Sequence, residues 1–446
     1  MAAASSPSTP SSLLSLLIVF LSLARSQSLA GDLHSRPKPK AILLPVRKDS
    51  ATLQYTTTIR QRTPLVPVKL TVDLGAKSPW VNCEGGYVSS TYKPVLCGSK
   101  FCELAVFNSC SSTCYQPRPE PGCNNNTCGQ FESNSFIPTA YYGELSTDAA
   151  VLRSTDGKNP GRAVSVPGGI VFTCGFDPLT QQLAKNAKGM LGLGRSGISL
   201  PSVLSYAFGF PNKFGMCLSS SRSHGVIIFG DGPYFLQPGK EVSDYLIYTP
   251  LILNPVSTAV LSFLDEPSSD YFINVTGIKV NGQAVRLNPT LLKINNSGNG
   301  GTKLSTVNPY TVMETSIYKA VTKAFLAQVK YLKRVGSVQP FEYCFNTTGV
   351  GSTRVGPAVP QIELLLGKSS WIIFGANSMV YVGNGETFCL GIVDGGTDAK
   401  TSIVIGGHQL EDNLVQVDMV NKRLGFTSSL LFYQTTCANF NFTVAA

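Results

Sequence analysis

Seven of the chain's twelve cysteines crowd into residues 83–128: Cys83, Cys97, Cys102, Cys110, Cys114, Cys123 and Cys128. The other five are Cys174, Cys217, Cys344, Cys389 and Cys437. A stretch so rich in thiols, with Ser, Pro and Asn between them, is expected to fold as stapled loops. In an exported protein the even total predicts six disulfides, with pairings that spacing alone leaves open. Zinc is the competing reading. It favours tight Cys-x-x-Cys pairs or nearby histidines, and histidine occurs only at His34, His224 and His408. Neither a metal nor any other cofactor is expected.

Export is independently indicated. Residues 13–23 (LLSLLIVFLSL) form an apolar run too short to span a bilayer, followed by Ala24-Arg25-Ser26, a small-x-small cleavage pattern. Residues 1–26 therefore read as a secretory signal, with Gln27 as the new start. No later stretch is long and apolar enough for a membrane helix, so no membrane partner is expected. Sequons at Asn125, Asn274, Asn295, Asn346 and Asn441 make these the candidate N-glycosylation sites. With 43% hydrophobic and only 14% charged residues, the chain is globular rather than disordered. Its net charge of +10 is spread thinly along the sequence, without the aromatic-interleaved basic clusters of a nucleic-acid binder. Such an excess serves solubility and attraction to acidic surfaces.

Period-two patterning dominates the rest. Val66, Val68, Leu70 and Val72 alternate with Pro67, Lys69, Thr71 and Asp73, as in a half-buried strand. A run over residues 271–280 ends at Asn281-Gly282, a hairpin turn signal. The clearest helix is predicted over residues 315–331, where Ile317, Val321, Phe325 and Val329 recur every fourth position and Thr311-x-x-Glu314 fits a capping box. The chain also echoes itself. Val72-Asp73-Leu74-Gly75 is answered by residues 190–194 (MLGLG), and Leu304-Ser305-Thr306-Val307 by residues 404–407 (VIGG). Two β lobes related by duplication produce this, joined near residues 231–244 where Gly and Pro cluster. The expected boundaries are 27–235 for a Cys-rich N-terminal lobe and 236–446 for a C-terminal lobe.

With these elements in place, the chain resembles the pepsin-like aspartic proteases, above all their plant branch. Residues 189–202 (GMLGLGRSGISLPS) resemble that branch's first apolar-apolar-Gly element; residues 402–408 (SIVIGGH), with 414–418 and 423–426, resemble the second. The likeness runs from about Ser50 to Cys437. It implies a mainly β, bilobal pepsin-like fold, with Cys344–Cys389 inside the second lobe and Cys217–Cys437 tying the lobes together.

Aspartic protease chemistry needs two carboxylates sharing one proton, each held in Asp-Thr/Ser-Gly. Here the first motif keeps Asp73 and Gly75 but has Leu74 and Ala76 around them, and the second reads Ser305-Thr306-Val307. Asp73 and Ser305 are thus vestiges of a catalytic pair. Asp394-Gly395-Gly396 lies too close to the Ile405-Gly406 element to substitute. The family's flap hairpin is expected to be lost as well, since Tyr142-Gly143 runs straight into Glu144-Leu145-Ser146-Thr147-Asp148. No proteolysis is expected.

Among inactive relatives the resemblance is closer. Residues 308–318, 121–128 and 405–414 resemble the plant extracellular dermal glycoproteins, the xyloglucan-specific endoglucanase inhibitors, the basic 7S globulins with γ-conglutin, and the cereal-type xylanase inhibitors. This implies a protein of the apoplast and cell wall that blocks a microbial endoglucanase or xylanase. In the endoglucanase inhibitors, arginines on two C-terminal loops enter the target's cleft. The matching positions here are Lys400, and the cluster Lys330, Lys333 and Arg334 after the 315–331 helix. Lys400 keeps the charge but loses an arginine's bidentate fork. The alternative the resemblance offers is a storage or peptide-binding globulin with a small peptide ligand.

Overall fold

The computed structural model describes residues 1–3, 38–105, 109–111, 114, 118–237, 239–259 and 266–443. The signal segment expected over residues 1–26 falls, beyond its first three residues, outside the described residues. The unit beginning at Pro39 carries everything that follows.

The Val66–Asp73 strand shows how the duplication works. Its alternation holds at the exposed end, where Pro67 faces solvent and Val68 is buried, and fades towards Asp73, where both faces enter the core. Gly189–Gly192 runs parallel beside it, Leu191 opposite Val72 and Gly192 opposite Asp73, and pairs antiparallel on its other side with Trp80–Asn82. The second half repeats the arrangement. Thr302–Leu304 lies parallel to Ile403–Ile405, with Leu304 opposite Ile405, and Ile403–Ile405 pairs antiparallel with Thr311–Met313. The two apolar-apolar-Gly stretches are the parallel neighbours of the strand ending at Asp73 and of the strand ending just before Ser305.

A shared sheet joins the halves. Gly225–Gly230 pairs with Lys213–Cys217, which pairs antiparallel with Leu414–Asp418; the sheet continues through Arg423–Phe426 to Ile247–Ile252. Two four-stranded sheets lie in the second half, one around Ile362–Leu366 and one around Thr387–Leu390. The fold is mainly β and bilobal, of the pepsin-like kind.

All twelve cysteines are bonded, in the pairs Cys83–Cys174, Cys97–Cys110, Cys102–Cys128, Cys114–Cys123, Cys217–Cys437 and Cys344–Cys389. Among the described residues no helix is long and apolar enough to cross a membrane. Nor is any group of three His, Cys, Asp or Glu residues arranged to hold a metal.

Three local expectations are corrected. A flap hairpin is present: Thr127–Asn134 pairs with Thr139–Asp148, Phe131 opposite Tyr142 and Gln130 opposite Gly143. The turn lies ahead of the Tyr-Gly pair, at residues 135–138, where the Asn134 side chain accepts the Phe136 amide at 2.8 Å. An Asx turn needs no glycine, which hid it. The helix spans Thr315–Gln328 and buries Ile317, Val321 and Phe325 as expected, but its cap is Glu314, whose carboxylate accepts the Ser316 and Ile317 amides. Thr311 belongs to a strand and donates its hydroxyl to Gln409. The 271–280 run splits into Phe272–Ile273 and Gly277–Val280, which join different sheets; Asn281 and Gly282, both at positive φ, make the predicted hairpin after the second.

Candidate functional site

The duplicated strands carry Asp73 and Ser305 to a cavity of about 170 Å³ beneath the flap hairpin. Asp73 is buried; its Oδ1 accepts the Gly75 amide at 2.9 Å, and its Oδ2 accepts the Ser135 hydroxyl at 2.6 Å from the hairpin tip. Burial pushes the Asp73 carboxyl above the usual aspartate range, against the pull of those two donors. Ser305 turns inward on its own loop, its Oγ accepting the Val307 and Asn308 amides at 3.1 Å each. Next to it the Thr306 hydroxyl reaches across to the first half, donating to the Val72 carbonyl at 2.8 Å and accepting the Leu74 amide at 3.0 Å. Leu74 is wholly buried and has no hydroxyl to return that bond.

The cavity holds two further carboxylates that sequence reasoning missed, Glu132 and Asp270. Asp270 accepts the Lys303 ammonium at 2.9 Å and the Ser268 hydroxyl at 3.1 Å. A Cβ built on Gly75 would stand 2.1 Å from Asp270 Oδ1 and 3.7 Å from Asp73 Oδ1, so these oxygens are separated by no more than the sum of the two distances. A side chain at position 75 would have to push the Asp270 carboxylate aside. Asp270 belongs to the segment entering the Phe272–Ile273 strand and Lys303 to the Thr302–Leu304 strand, and no motif links them.

The basic residues expected to contact a target lie on the outer surface of the second half. Lys330, Lys333, Arg334 and Lys400 are all exposed, and none has an ion-pair partner among the described residues. Arg334 lies 5.0 Å from the Tyr343 ring centre, and Tyr343 stacks on Tyr318 at 6.4 Å. Tyr318 sits in the first turns of the Thr315–Gln328 helix, where its hydroxyl donates to Glu342. At the same helix end Thr315 donates its hydroxyl to Asp394 at 2.6 Å and its amide to the Gly396 carbonyl at 3.2 Å. Asp394 is therefore a loop anchor, remote in role from the cavity. The loop it opens ends at Lys400, whose carbonyl accepts the Gly300 amide at 2.7 Å. Arg334 and the 394–400 loop are thus brought to one helix end, while Lys330 lies just beyond the other. Tyr331 is a further residue missed in the sequence: 64% exposed, with its hydroxyl fixed to the Ala358 carbonyl at 3.0 Å.

Of the five sequons, Asn125, Asn274, Asn295 and Asn441 are exposed and Asn346 is half-buried.

Comparison with known proteins follows the same division into halves. Residues 55–231 match the family model described as xylanase inhibitor N-terminal, and residues 270–428 the one described as xylanase inhibitor C-terminal. A Nicotiana benthamiana protein named probable aspartic proteinase GIP2 is 54% identical over 96% of this chain and 98% of its own. Gamma conglutin 1 of Prunus dulcis is 41% identical over 96% of this chain and 95% of its own. The crystal structure of EDGP superposes with a TM-score of 0.88 at 53% identity, covering 91% of this chain and 99% of that one. Soybean basic 7S globulin does so with a TM-score of 0.77 at 34% identity, over 90% and 98%.

Proposed function

We propose, for a chain that belongs to the xylanase-inhibitor family of pepsin-like proteins, a secreted binding protein that blocks the active cleft of a microbial glycoside hydrolase. Its target class is the xyloglucan-specific endo-β-1,4-glucanases, and its site of action the apoplast and cell wall. Residues 1–26 act as the export signal, residues 27–235 and 236–446 as the two lobes, and the exposed sequons as glycan sites.

Proteolysis is not part of this reading. Ser305 offers no carboxylate to share a proton with Asp73. The nearby Asp270 is ion-paired with Lys303, and at Asp73 its charge raises the pKa while that of Lys303 lowers it. Ser135 occupies the outer oxygen of Asp73, where a nucleophilic water would be activated. Haemoglobin or casein incubated with the protein between pH 3 and 5 (about the range in which such dyads titrate) is expected to stay intact.

The observation that carries the inhibitor reading is the convergence of Arg334 and the Lys400 loop on one helix end. A retaining endoglucanase holds two carboxylates about 5 Å apart across its cleft. A cation delivered between them competes with substrate, and a guanidinium held over an aromatic ring is pre-positioned to do so. Reducing-sugar release from xyloglucan by a fungal family-12 endoglucanase tests this. The protein is expected to inhibit, less so at high salt. Lys400→Ala and Arg334→Ala are each expected to weaken inhibition by roughly thirtyfold or more, since truncating one side of a desolvated charge contact costs about 2 kcal/mol or more. Inhibition untouched by either change would move the contact to other loops. No inhibition of this enzyme or of a family-11 xylanase would leave the storage or peptide-binding reading, in line with the conglutin and 7S globulin relatives.

A further inference from the structure

Four basic residues that are far apart in the sequence, Arg47, Arg60, Lys69 and Arg153, are brought by the fold onto one sheet face of the first half. Strand register shows how. Thr58 stands opposite Lys69, Arg60 opposite Val151, and Leu43 opposite Arg153. Side chains directly opposite one another, or two apart along a strand, share a face. Lys69, Thr58, Arg60, Arg153, Pro45 and Arg47 therefore point the same way across four neighbouring strands.

Two cavities open on this face, of about 410 and 420 Å³, and they share Pro45, Thr58 and His224. Together they form one continuous groove. The first is polar and holds Arg47, Lys69 and three threonines; the second is more apolar and holds Arg60, Arg153 and Phe442. Arg47, Arg60 and Arg153 are exposed, with no carboxylate in ion-pair range among the described residues. Asp49, the single acid lining the groove among the described residues, lies 3.9 Å from Lys69 and accepts the amides and hydroxyl of its own turn. Lys48 is turned away to Glu411 at 2.7 Å. His224 packs its ring 5.9 Å from Phe442, and partial burial, with the charge of Arg47, lowers its pKa. Near neutral pH it contributes a hydrogen-bonding ring, and the positive field comes from the arginines and Lys69.

We propose that this groove binds an acidic polysaccharide whose sugars carry carboxylates, a polyuronate. Guanidinium forks match carboxylates bidentately. The exposed Thr58 hydroxyl suits a sugar hydroxyl, and Pro45 and Phe442 suit the apolar face of a pyranose ring. The cations are separated by uncharged Thr, Pro and Val positions, a spacing that suits one charge per sugar better than a densely charged phosphate or sulfate polymer. The groove is independent of the Arg334 and Lys400 loops, so it would anchor the protein to an acidic matrix while leaving those loops free.

Calorimetric titration of the full-length secreted protein with unesterified oligogalacturonide tests the site. The protein is first deglycosylated, so that a glycan at Asn441, next to Phe442, does not cover that ring. Binding is expected at low salt and should fall as salt rises. The fully methyl-esterified oligomer, which keeps the rings and loses the charge, is expected not to bind. Arg60→Gln combined with Arg153→Gln is expected to weaken binding at least tenfold. Lys319→Gln with Lys323→Gln, which removes equal charge from an exposed helix face elsewhere, is expected to leave it unchanged. The proposal is overturned by absence of binding, by equal binding of the esterified oligomer, or by equal loss in both double variants. Tighter capture of dextran sulfate than of the uronate would also overturn it.

Discussion

Replacing Cys217 and Cys437 together by alanine is expected to lower stability by about 5 kcal/mol, because the loop closed by this bond is long and closure entropy grows with loop length. The bond spans 220 residues, against 45 for Cys344–Cys389 and 9 for Cys114–Cys123. The same relation gives about 4 and about 3 kcal/mol for those two. Position adds to length. Cys217 ends the Lys213–Cys217 strand, directly opposite Leu414 of the second half, and both cysteines are fully buried. The bond pulls the C-terminal tail onto that joint, where the Cys437 amide donates to Asp412 Oδ1 at 2.9 Å. Guanidinium unfolding of the three paired-alanine variants should rank them in this order, with unfolding rates measured as well in case refolding is incomplete. A loss below about 2 kcal/mol for Cys217→Ala/Cys437→Ala, the low end for a native disulfide, would mean that the shared sheet holds the halves without covalent help.

That joint is partly legible in the amino-acid sequence. Cys217–Cys437 and Cys344–Cys389 follow from the resemblance, and the duplication from two short strings around Asp73 and Ser305. The echo is faint in sequence, but each strand must end beside a parallel neighbour, Asp73 beside Gly192 and Leu304 beside Ile405, which limits the residues allowed there. The misreadings share a cause: side chains doing the work of backbone motifs. Asn134 turns the flap hairpin without a glycine to signal it, and Glu314 caps a helix whose spacing points to Thr311. Asp270 and Lys303 meet only because two strands of one sheet run side by side, Phe272 opposite Lys303. The arginine face is the same case on a larger scale. Arg47, Arg60 and Arg153 are far apart in the chain, and only antiparallel register places them together.

Glu132→Gln is expected to leave the protein more stable than the parent by an amount that grows with pH. Glu132 lies on the inner strand of the flap hairpin, and its Oε1 accepts from Ser78, Gln130 and Thr173. Burial dominates nonetheless and pushes the carboxyl up to about 7 from 4.5, with those donors and Lys77 pulling the other way. A carboxyl whose folded pKa is raised contributes stability that is fully present below the unfolded value and is lost as pH rises through the folded one. For Glu132 that window runs from 4.5 to about 7. At 1.36 kcal/mol per unit the gap corresponds to about 3 kcal/mol. Glu411 and Asp418 behave oppositely. Their carboxyls are held low by His408 and Lys48, and by Asn421 and Arg423, despite burial, so their contribution is lost as pH falls. Both groups are common to parent and variant and cancel in the difference. The stability of Glu132→Gln minus that of the parent should therefore climb by about 3 kcal/mol between pH 4.5 and 8. A difference that stays flat would mean that the three donors outweigh burial and that Glu132 is ionised throughout. The consequence reaches the cavity, because Glu132 and Asp73 both line it and the hairpin tip rests on Asp73 through Ser135. In acid both carboxyls move towards the neutral form; as pH rises each gains charge, which burial opposes at both and which the Ser135 hydroxyl of the tip favours at Asp73.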